Sequence, residues 1–303
     1  MMFNPEDIQI ISAPSILGLK PNGVEDLGNG LLASGLAEVL GVKHELICTD
    51  TLNDTYSVAR EATTNMLNPR AIRDFSLTLG KVVWDTMTKE RFPLILGGDC
   101  SILIGIMSGL KAKRNCGLIF LDAHADFYRP EQSITGEAAD MDLAIVTGRG
   151  PELLTNINDH RPYVKDEHVI HVGQRDWEKT QTHGSEDIRK ASIKCFSLAE
   201  IGKRGIAGAT HEILTHINEI TVDGFWIHYD LDVLSDEINP AVDYRLPEGL
   251  QFEEVEYLIR KLLKTGRMMG VSITIFNPRL DKDGNISKNI TTSLGKAFGL
   301  SAY

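Results

Sequence analysis

Apolar segments rich in β-branched residues alternate with amphipathic segments along this chain, which predicts an α/β protein with a parallel sheet of about eight strands. Most of the predicted strands are continuous apolar runs, as is typical of strands covered on both faces. No linker rich in Pro, Gly and Ser and no internal repeat interrupts the alternation. A chain of 303 residues is long enough to bury one large core. We therefore predict a single three-layer α/β/α domain over residues 1–303.

The strands are predicted where apolar runs stop at turn-forming or polar residues. In chain order they cover 8–14, 44–48, 93–96, 117–121, 168–172, 193–196, 224–229 and 269–276. The helices follow apolar residues at helical spacing, with Pro69 suited to a first turn and Gly41 to a C-cap. They are predicted over 27–40, 69–90, 102–113, 185–191, 208–220, 252–264 and 285–300. The polar stretch 50–68 is predicted as a long surface connection.

Composition excludes several classes of partner. The formal net charge of −11 disfavours nucleic acid and anionic membranes, since both would repel the chain. There is no run of about 18 apolar residues that would span a membrane, and residues 1–7 show no signal-peptide pattern. The four cysteines are widely separated, and a chain of this size does not need disulfides. We therefore expect a reducing, cytoplasmic location.

Three strands are followed by residues that bind metals. Asp122, His124 and Asp126 alternate after one strand, so their side chains can converge on one point. Asp230 and Asp232 repeat this spacing after another strand, and Cys100 follows a third. In a parallel sheet the site lies beyond the carboxyl ends of the strands, where these residues meet. Helix capping explains a single Asp after a strand, but the whole set favours two divalent metal ions.

These segments resemble the arginase/agmatinase/formiminoglutamase family. The resemblance rests on Gly-Gly-Asp-Cys-Ser (97–101), Asp-Ala-His-Ala-Asp (122–126) and Asp-Leu-Asp-Val-Leu (230–234), and it extends from Ile10 to about Pro278. It implies hydrolysis of C–N bonds in linear guanidines or amidines by hydroxide generated at a binuclear manganese centre. It also implies a small guanidino or amidino substrate and a homotrimer or homohexamer. The implied metal ligands are Cys100, Asp122, His124, Asp126, Asp230 and Asp232, and Asp126 would also orient the attacking hydroxide.

Two positions depart from the family pattern. Cys100 stands where the family has His in G-G-D-H-S, which would move one metal position toward Zn²⁺, Fe²⁺ or Ni²⁺ or weaken Mn²⁺. The alternative is an inert buried thiol beside an under-coordinated metal. The same substitution resembles a branch of the family that acts on N-hydroxyarginine. Ile275 occupies the position of a Glu that contacts guanidinium, and an apolar side chain cannot offset the desolvation of that cation.

Other acidic residues are candidates for the missing roles. The proton-shuttling His of arginases aligns with Ala139 or Asp140, so Glu137 or Asp140 is predicted as the general acid. Glu137, Asp243 and Glu178 are predicted to recognise the substrate, and for each of these acids the alternative is a solvated loop position. Arg175 could equally pair with Asp176. His171 is predicted as a hydrogen-bonded core residue, whereas His228 is predicted either to support a metal ligand or to be a core residue.

The sequence leaves three functions open. The first is an arginase-like hydrolase of a linear amidine or guanidine. The second is a hydrolase of a substituted guanidine, an N-hydroxyguanidine or a formimino compound. The third is a non-catalytic relative, which the missing Glu and His favour and the intact Asp/His set opposes.

Overall fold

The computed structural model describes residues 4–300, and eight strands pair within one parallel sheet. The strands are β1 Ile8–Ala13, β2 Ile47–Cys48, β3 Phe92–Gly97, β4 Cys116–Leu121, β5 Val169–Val172, β6 Lys194–Phe196, β7 Gly224–Asp230 and β8 Met268–Thr274. Their order across the sheet is β2-β1-β3-β8-β7-β4-β5-β6. The prediction of a parallel sheet of about eight strands is confirmed.

Helices cover both faces of the sheet. They are α1 Leu27–Ala33, α2 Leu36–Val39, α3 Pro69–Thr88, α4 Ile102–Lys111, α5 Asp142–Val146, α6 Glu152–Thr155, α7 Trp177–Thr182, α8 Leu198–Glu219, α9 Phe252–Leu263 and α10 Asn285–Ala297. One core joins the sheet to α1, α2, α8, α9 and α10, and a second joins its other face to α3, α4, α5 and α6. Because successive side chains of a strand point to opposite faces of the sheet, one strand can contribute to both cores. In β3, Leu94 and Leu96 face the first core and Ile95 faces the second. The three-layer fold is confirmed.

One helix prediction was wrong, and helix α7 was not predicted. The helix expected over 185–191 is only a short 3-10 turn at Ile188–Lys190, because Ile188 is its one fully buried apolar side chain. The helix that follows β5 is instead α7, whose only buried residue is Thr180 and which therefore carries no apolar stripe in the sequence. The segment 185–191 buries too little apolar surface to hold a helix, and α7 lacks the amphipathic face from which helices are predicted.

Other elements differ from prediction at their ends. The helix expected over 27–40 is broken into α1 and α2 by Gly35, whose φ is +87°. Helix α8 is interrupted at Gly205, whose φ is +70°, and the predicted helix over 208–220 corresponds to the part after this break. The part before it was not predicted, and a capping box of Ser197 and Glu200 closes its first turn. Strand β8 stops at Thr274 because Ile275 takes a left-handed conformation with φ +61°. The polar connection over 50–68 is confirmed, apart from a 3-10 turn at Asn53–Thr55.

The sheet order brings the motif-bearing strands together. Strands β3, β8, β7 and β4 are consecutive neighbours, and their carboxyl ends lead into Gly98, Ile275, Leu231 and Asp122. The connections change direction in this part of the sheet, where α/β proteins form their ligand-binding crevice.

Within residues 4–300, no helix is long and apolar enough to cross a membrane. The predicted domain also includes residues 1–3 and 301–303, which lie outside the described residues, and its boundaries stay a prediction. So does the absence of a signal peptide, since part of the N-terminal segment also lies there.

Candidate metal centre and its cavity

The turn after β3 places Cys100 on the floor of the crevice. A Cβ on Gly98 would lie 1.9 Å from the carbonyl oxygen of Ser15, so only glycine allows this close approach. Asp99 is fully buried and accepts hydrogen bonds from the backbone N–H groups of Ser101 (2.8 Å) and Gly18 (3.2 Å). Asp99 therefore holds the turn in place and leaves Cys100 to face the crevice.

Cys100 contacts another predicted ligand directly. Its Sγ lies 2.7 Å from Oδ2 of Asp230 and 3.2 Å from Oγ1 of Thr274. Burial, and then the charge of Asp230, raises the pKa of the Cys100 thiol well above its usual range. Without a cation, the thiol therefore stays protonated and donates to Asp230.

His124 lies between two carboxylates. Its Nδ1 is 2.8 Å from Oδ2 of Asp232 and 3.6 Å from Oδ1 of Asp122. Burial opposes the charged ring, but Asp232 and Asp122 raise the pKa of His124 well above its usual range. Burial likewise opposes ionisation of Asp232, yet the charge of His124 lowers the pKa of that carboxyl. A proton on His124 thus partly neutralises the cluster in the absence of metal.

The remaining acids of the cluster are destabilised as anions. Burial, followed by the charge of Asp232, raises the pKa of Asp122 to about 7. Burial and the neighbouring carboxylates also raise the pKa values of Asp126 and Asp230 well above the usual range for Asp. Such a group of buried acids is stabilised by bound cations.

The donor atoms fit divalent metal ions. Donor atoms of Cys100, Asp122, His228 and Asp230 all lie within 4.8 Å of one another, and so do those of Asp122, His124 and Asp126. Among the described residues, Oδ2 of Asp122 and Nε2 of His124 are buried without a hydrogen-bond partner. An unpaired buried acceptor such as Oδ2 of Asp122 is costly unless a cation or another ligand satisfies it. The structure therefore brings all six predicted metal ligands together, with Asp232 joined to the others through His124.

A buried acid that the sequence reading did not single out borders this cluster. Asp142, the first residue of α5, is fully buried, interacts with Asp126, and leaves its Oδ2 unpaired within the described chain. The signal in the sequence was the fully apolar run 143–146: an acid that begins a buried helix must itself be near the interior. Its spacing of two from Asp140 repeats the spacing of the other acidic pairs.

A cavity of about 250 Å³ opens above the cluster, with Cys100, His124, Asp126, Asp230 and Asp232 among its lining residues. Three of its lining residues have strained backbones: φ is +44° at Asp126, +51° at Tyr244 and +61° at Ile275. L-residues avoid this left-handed region, which costs about 1–2 kcal/mol per residue. Strain of this kind is concentrated at functional sites.

Glu137 lies in the wall of the cavity. It is nearly buried and accepts a hydrogen bond from the hydroxyl of Tyr244 at 2.6 Å. Lys20 in turn donates to the same hydroxyl at 3.3 Å. Burial raises the pKa of Glu137, although Tyr244 and Lys20 partly oppose the shift. Glu137 is thus held by Tyr244 at the side of the cavity.

Asp140 lines the cavity and has one buried carboxylate oxygen without a partner in the described part of the chain. Its Oδ2 accepts hydrogen bonds from Ser133 (2.8 Å) and Thr135 (3.0 Å), while Oδ1 has no partner among residues 4–300. Burial raises the pKa of Asp140 to about 7, against the effect of those two hydroxyls. Such a carboxyl is suited to give or take a proton near neutral pH.

The other predicted recognition residues differ in their placement. Asp243 lines the cavity and accepts a hydrogen bond from Asn22. Glu178 is exposed on α7 and does not line the cavity, because the first turn of that helix directs it to solvent; Asp176 lines the cavity in its place. Arg175 does not pair with Asp176 but donates to the backbone carbonyls of 232–234 and 246–247. Through these hydrogen bonds, Arg175 stabilises the loop that follows β7.

His171 and His228 both lie against Phe120. The ring of His228 stacks on it with centroids 5.0 Å apart, and the ring of His171 is tilted against it with centroids 5.2 Å apart. His171 contacts the backbone carbonyl of His124 through Nε2 at 2.8 Å, which confirms the predicted hydrogen-bonded core residue. Burial lowers the pKa of His171 to about 4 and that of His228 to about 3, so both rings are neutral. Unlike His171, His228 reaches the Cys100 side of the cluster.

A parallel sheet whose carboxyl edge gathers buried carboxylates, imidazoles and a thiol under a cavity defines a hydrolase of the metal-dependent α/β/α class. Comparison with known proteins narrows this class. The model of the Arginase family matches residues 41–302. Arginase from Staphylococcus aureus (strain MSSA476) is 30% identical, over 98% of this chain and 99% of that protein.

Arginase from Brevibacillus brevis is 34% identical over 73% of each chain. The solved structure of Bacillus caldovelox arginase superposes with a TM-score of 0.86 at 26% identity, covering 98% of this chain and all of that one. The chain belongs to the arginase family and is an arginase-family hydrolase.

Proposed function

We propose that the protein hydrolyses a C–N bond of a linear amidine or guanidine, releasing an amine and urea or a urea-like fragment. The observation that carries this proposal is the position of the buried Asp/His/Cys cluster on the floor of a cavity whose wall holds Asp140. A non-catalytic relative would not need unpaired buried acceptors on the cavity floor.

The residues that would hold two divalent ions are Cys100, Asp122, His124, Asp126, Asp230 and Asp232. Bound there, divalent ions supply Lewis-acid chemistry, which lowers the pKa of water and stabilises charge that develops on the substrate. Manganese is the first candidate, with zinc, iron and nickel as alternatives because a thiol belongs to the set.

The protein's own groups would handle the protons. Asp126 borders both Asp122 and the cavity, so it would accept a hydrogen bond from the attacking water and orient it. Asp140, with its free Oδ1, would protonate the leaving amine. Glu137 and Asp243 lie on the cavity wall, where they would bind the cationic or amino groups of a substrate.

The floor of the cavity favours a substituted substrate. Ile275 is nearly buried and lines the cavity, so it places an apolar surface where a bare guanidinium would need a carboxylate. A substituted guanidine, an N-hydroxyguanidine or a formimino group would present less charge or a larger group to this surface. This is the favoured substrate class within the proposed reaction.

A release assay tests the function. Protein reconstituted separately with Mn²⁺, Zn²⁺, Fe²⁺ or Ni²⁺ is screened for release of urea, ammonia or amine. The compounds are arginine, agmatine, guanidinobutyrate, guanidine, N-hydroxyarginine and formiminoglutamate. We expect release from at least one compound, and its loss in Asp126→Asn. Metal-loaded protein that releases nothing from any of them would overturn the proposal.

The assembly and location remain proposals of the same kind. A homotrimer or homohexamer and a cytoplasmic location follow from the resemblance and from cysteine usage respectively. Sedimentation of the metal-loaded protein measures the first.

A further inference from the structure

The cluster contains one imidazole that the metal-ligand motifs do not include. His228 lies on β7, two residues before Asp230, and its side chain is fully buried. Its donor nitrogen belongs to the same 4.8 Å group as the donor atoms of Cys100, Asp122 and Asp230. A buried neutral imidazole beside a thiol and two carboxylates is a complete set of donors for a transition-metal ion.

The ring is held so that one nitrogen is available. Nδ1 of His228 lies 3.0 Å from Oγ of Ser272, and the same oxygen accepts a hydrogen bond from Nε1 of Trp226 at 3.0 Å. If Nδ1 donates to Ser272, Nε2 carries the lone pair. Within residues 4–300, this nitrogen makes one long hydrogen bond, with Oγ1 of Thr274 at 3.4 Å, and lies 3.9 Å from Oδ2 of Asp142.

Thr274 connects the imidazole to the thiol. Its Oγ1 is within 3.2 Å of Sγ of Cys100 and 3.4 Å of Nε2 of His228, so both donors face the same small volume. Two buried acceptors beside this volume, Oδ2 of Asp122 and Oδ2 of Asp142, are unpaired within the described chain. These unpaired oxygens independently indicate that a cation belongs there.

We propose that Nε2 of His228 and Sγ of Cys100 ligate the same metal ion, together with Asp122 and Asp230. This inference rests on the proposed metal-dependent function. It makes the two metal positions chemically unequal: one has thiolate, imidazole and carboxylate donors, and the other has His124 with carboxylates. The first position would prefer a softer ion such as zinc, cobalt or iron, and Cys100 would bind it as a thiolate after releasing its proton to solvent.

His171 supplies a matched control. It is as deeply buried as His228 and its ring also contacts Phe120, but its Nε2 contacts the carbonyl oxygen of His124. Substitution of His171 measures the effect of losing a buried imidazole ring next to Phe120. It does not remove a donor atom from the group formed by Cys100, Asp122, His228 and Asp230. The variants are therefore His228→Gln and His171→Gln.

The probe is Co²⁺ added to metal-free, full-length protein. Wild-type protein is expected to bind two ions per chain, with a thiolate-to-cobalt absorption band and two exchangeable, paramagnetically shifted imidazole N–H resonances. In His228→Gln one resonance disappears, and the Co²⁺ affinity of the thiolate-containing position falls by more than about 100-fold. Such a loss is larger than that caused by replacing a residue that only supports the metal ligands. His171→Gln keeps both resonances.

A rescue variant distinguishes ligation of the metal by His228 from a role in which His228 only supports the other ligands. Cys100→His combined with His228→Ser returns an imidazole to the site from the other strand, and we expect it to regain the second ion that His228→Ser alone loses. Two bound ions with a single shifted imidazole resonance in the wild type would overturn this inference and leave the proposed function intact. Wild-type protein that binds no ion would instead overturn the metal-dependent function itself.

Discussion

Ile275 sets the substrate preference at the scale of a single residue. Its backbone is left-handed, its N–H donates to the carbonyl oxygen of Gly98 at 3.0 Å, and its side chain lines the cavity. The strained backbone fixes the direction of this side chain, so a longer acid at this position would reach the same part of the cavity. The residue type, and not the backbone, makes the floor apolar.

Ile275→Glu is expected to shift selectivity toward unsubstituted guanidinium compounds. A charge-assisted hydrogen bond contributes about 1.5–3 kcal/mol, so the ratio of kcat/KM for agmatine to that for N-hydroxyarginine should rise by about 10- to 100-fold. Initial rates with both compounds measure this ratio. Ile275→Gln has nearly the same shape without the charge, and an equal rise in that variant would mean that charge is not responsible.

Asp140 predicts a pH dependence. Its buried carboxyl has a pKa of about 7 and must be protonated to donate to the leaving amine, so kcat should fall as the pH rises through about 7. Asp140→Asn is expected to remove this alkaline limb and lower kcat by about 10²- to 10⁴-fold. A pH–rate profile of each protein measures both effects.

Thr135 gives the matching control for that profile. Its hydroxyl donates to Oδ2 of Asp140 and thereby lowers the pKa of Asp140. Thr135→Val removes the donor, so the alkaline limb should move to higher pH by about one unit, the equivalent of a hydrogen bond to a charged group. A limb that stays in place in both variants would assign the general acid to another group, such as Glu137.

At the scale of elements, α3 and α4 pack through glycine. A Cβ on Gly109 of α4 would lie 2.5 Å from Cα and 2.7 Å from the carbonyl oxygen of Gly80 on α3. Gly109→Ala therefore forces two backbones apart and should destabilise the protein by about 1–3 kcal/mol. Gly202→Ala, exposed in α8 with nothing within 4 Å, should stabilise by up to about 1 kcal/mol. Thermal unfolding measures both, and equal shifts would contradict the packing argument.

Central strands such as β3 and β4 could be predicted from sequence because each is a continuous apolar run buried on both faces of the sheet. Helix α7 could not, because its residues make few buried contacts and its position depends on the turn after β5. The same distinction applies to the site. The spacing of Asp122, His124 and Asp126 within one segment was visible in the sequence. The approach of His228 and Asp142 depends on two separate chain segments meeting, which no local pattern records.

At the scale of the whole molecule, part of the net charge of −11 is concentrated where water cannot screen it. Asp122, Asp126, Asp142, Asp230 and Asp232 are all buried at one edge of the sheet. In the metal-free protein the mutual repulsion of these carboxylates opposes folding. When cations are bound, the electrostatic energy of the cluster favours folding instead. Metal content should therefore control stability as well as activity.

Removing the metal should lower Tm, and adding Mn²⁺ should restore it, because an ion that binds only the folded state stabilises it by about 4 kcal/mol at 1,000 times Kd.

Asp122→Asn should have opposite effects on the stability of the metal-free protein and on the stabilisation by metal. Its amide would replace the unpaired Oδ2 with a donor among carboxylates, so the metal-free Tm should rise while the gain on adding Mn²⁺ shrinks. Asp166→Asn, which alters a carboxylate paired with Arg149 outside the cavity, should keep the full Mn²⁺-dependent gain. Calorimetry with and without chelator measures both, and an Asp122→Asn protein that loses stability in its metal-free form would show that repulsion does not dominate this cluster.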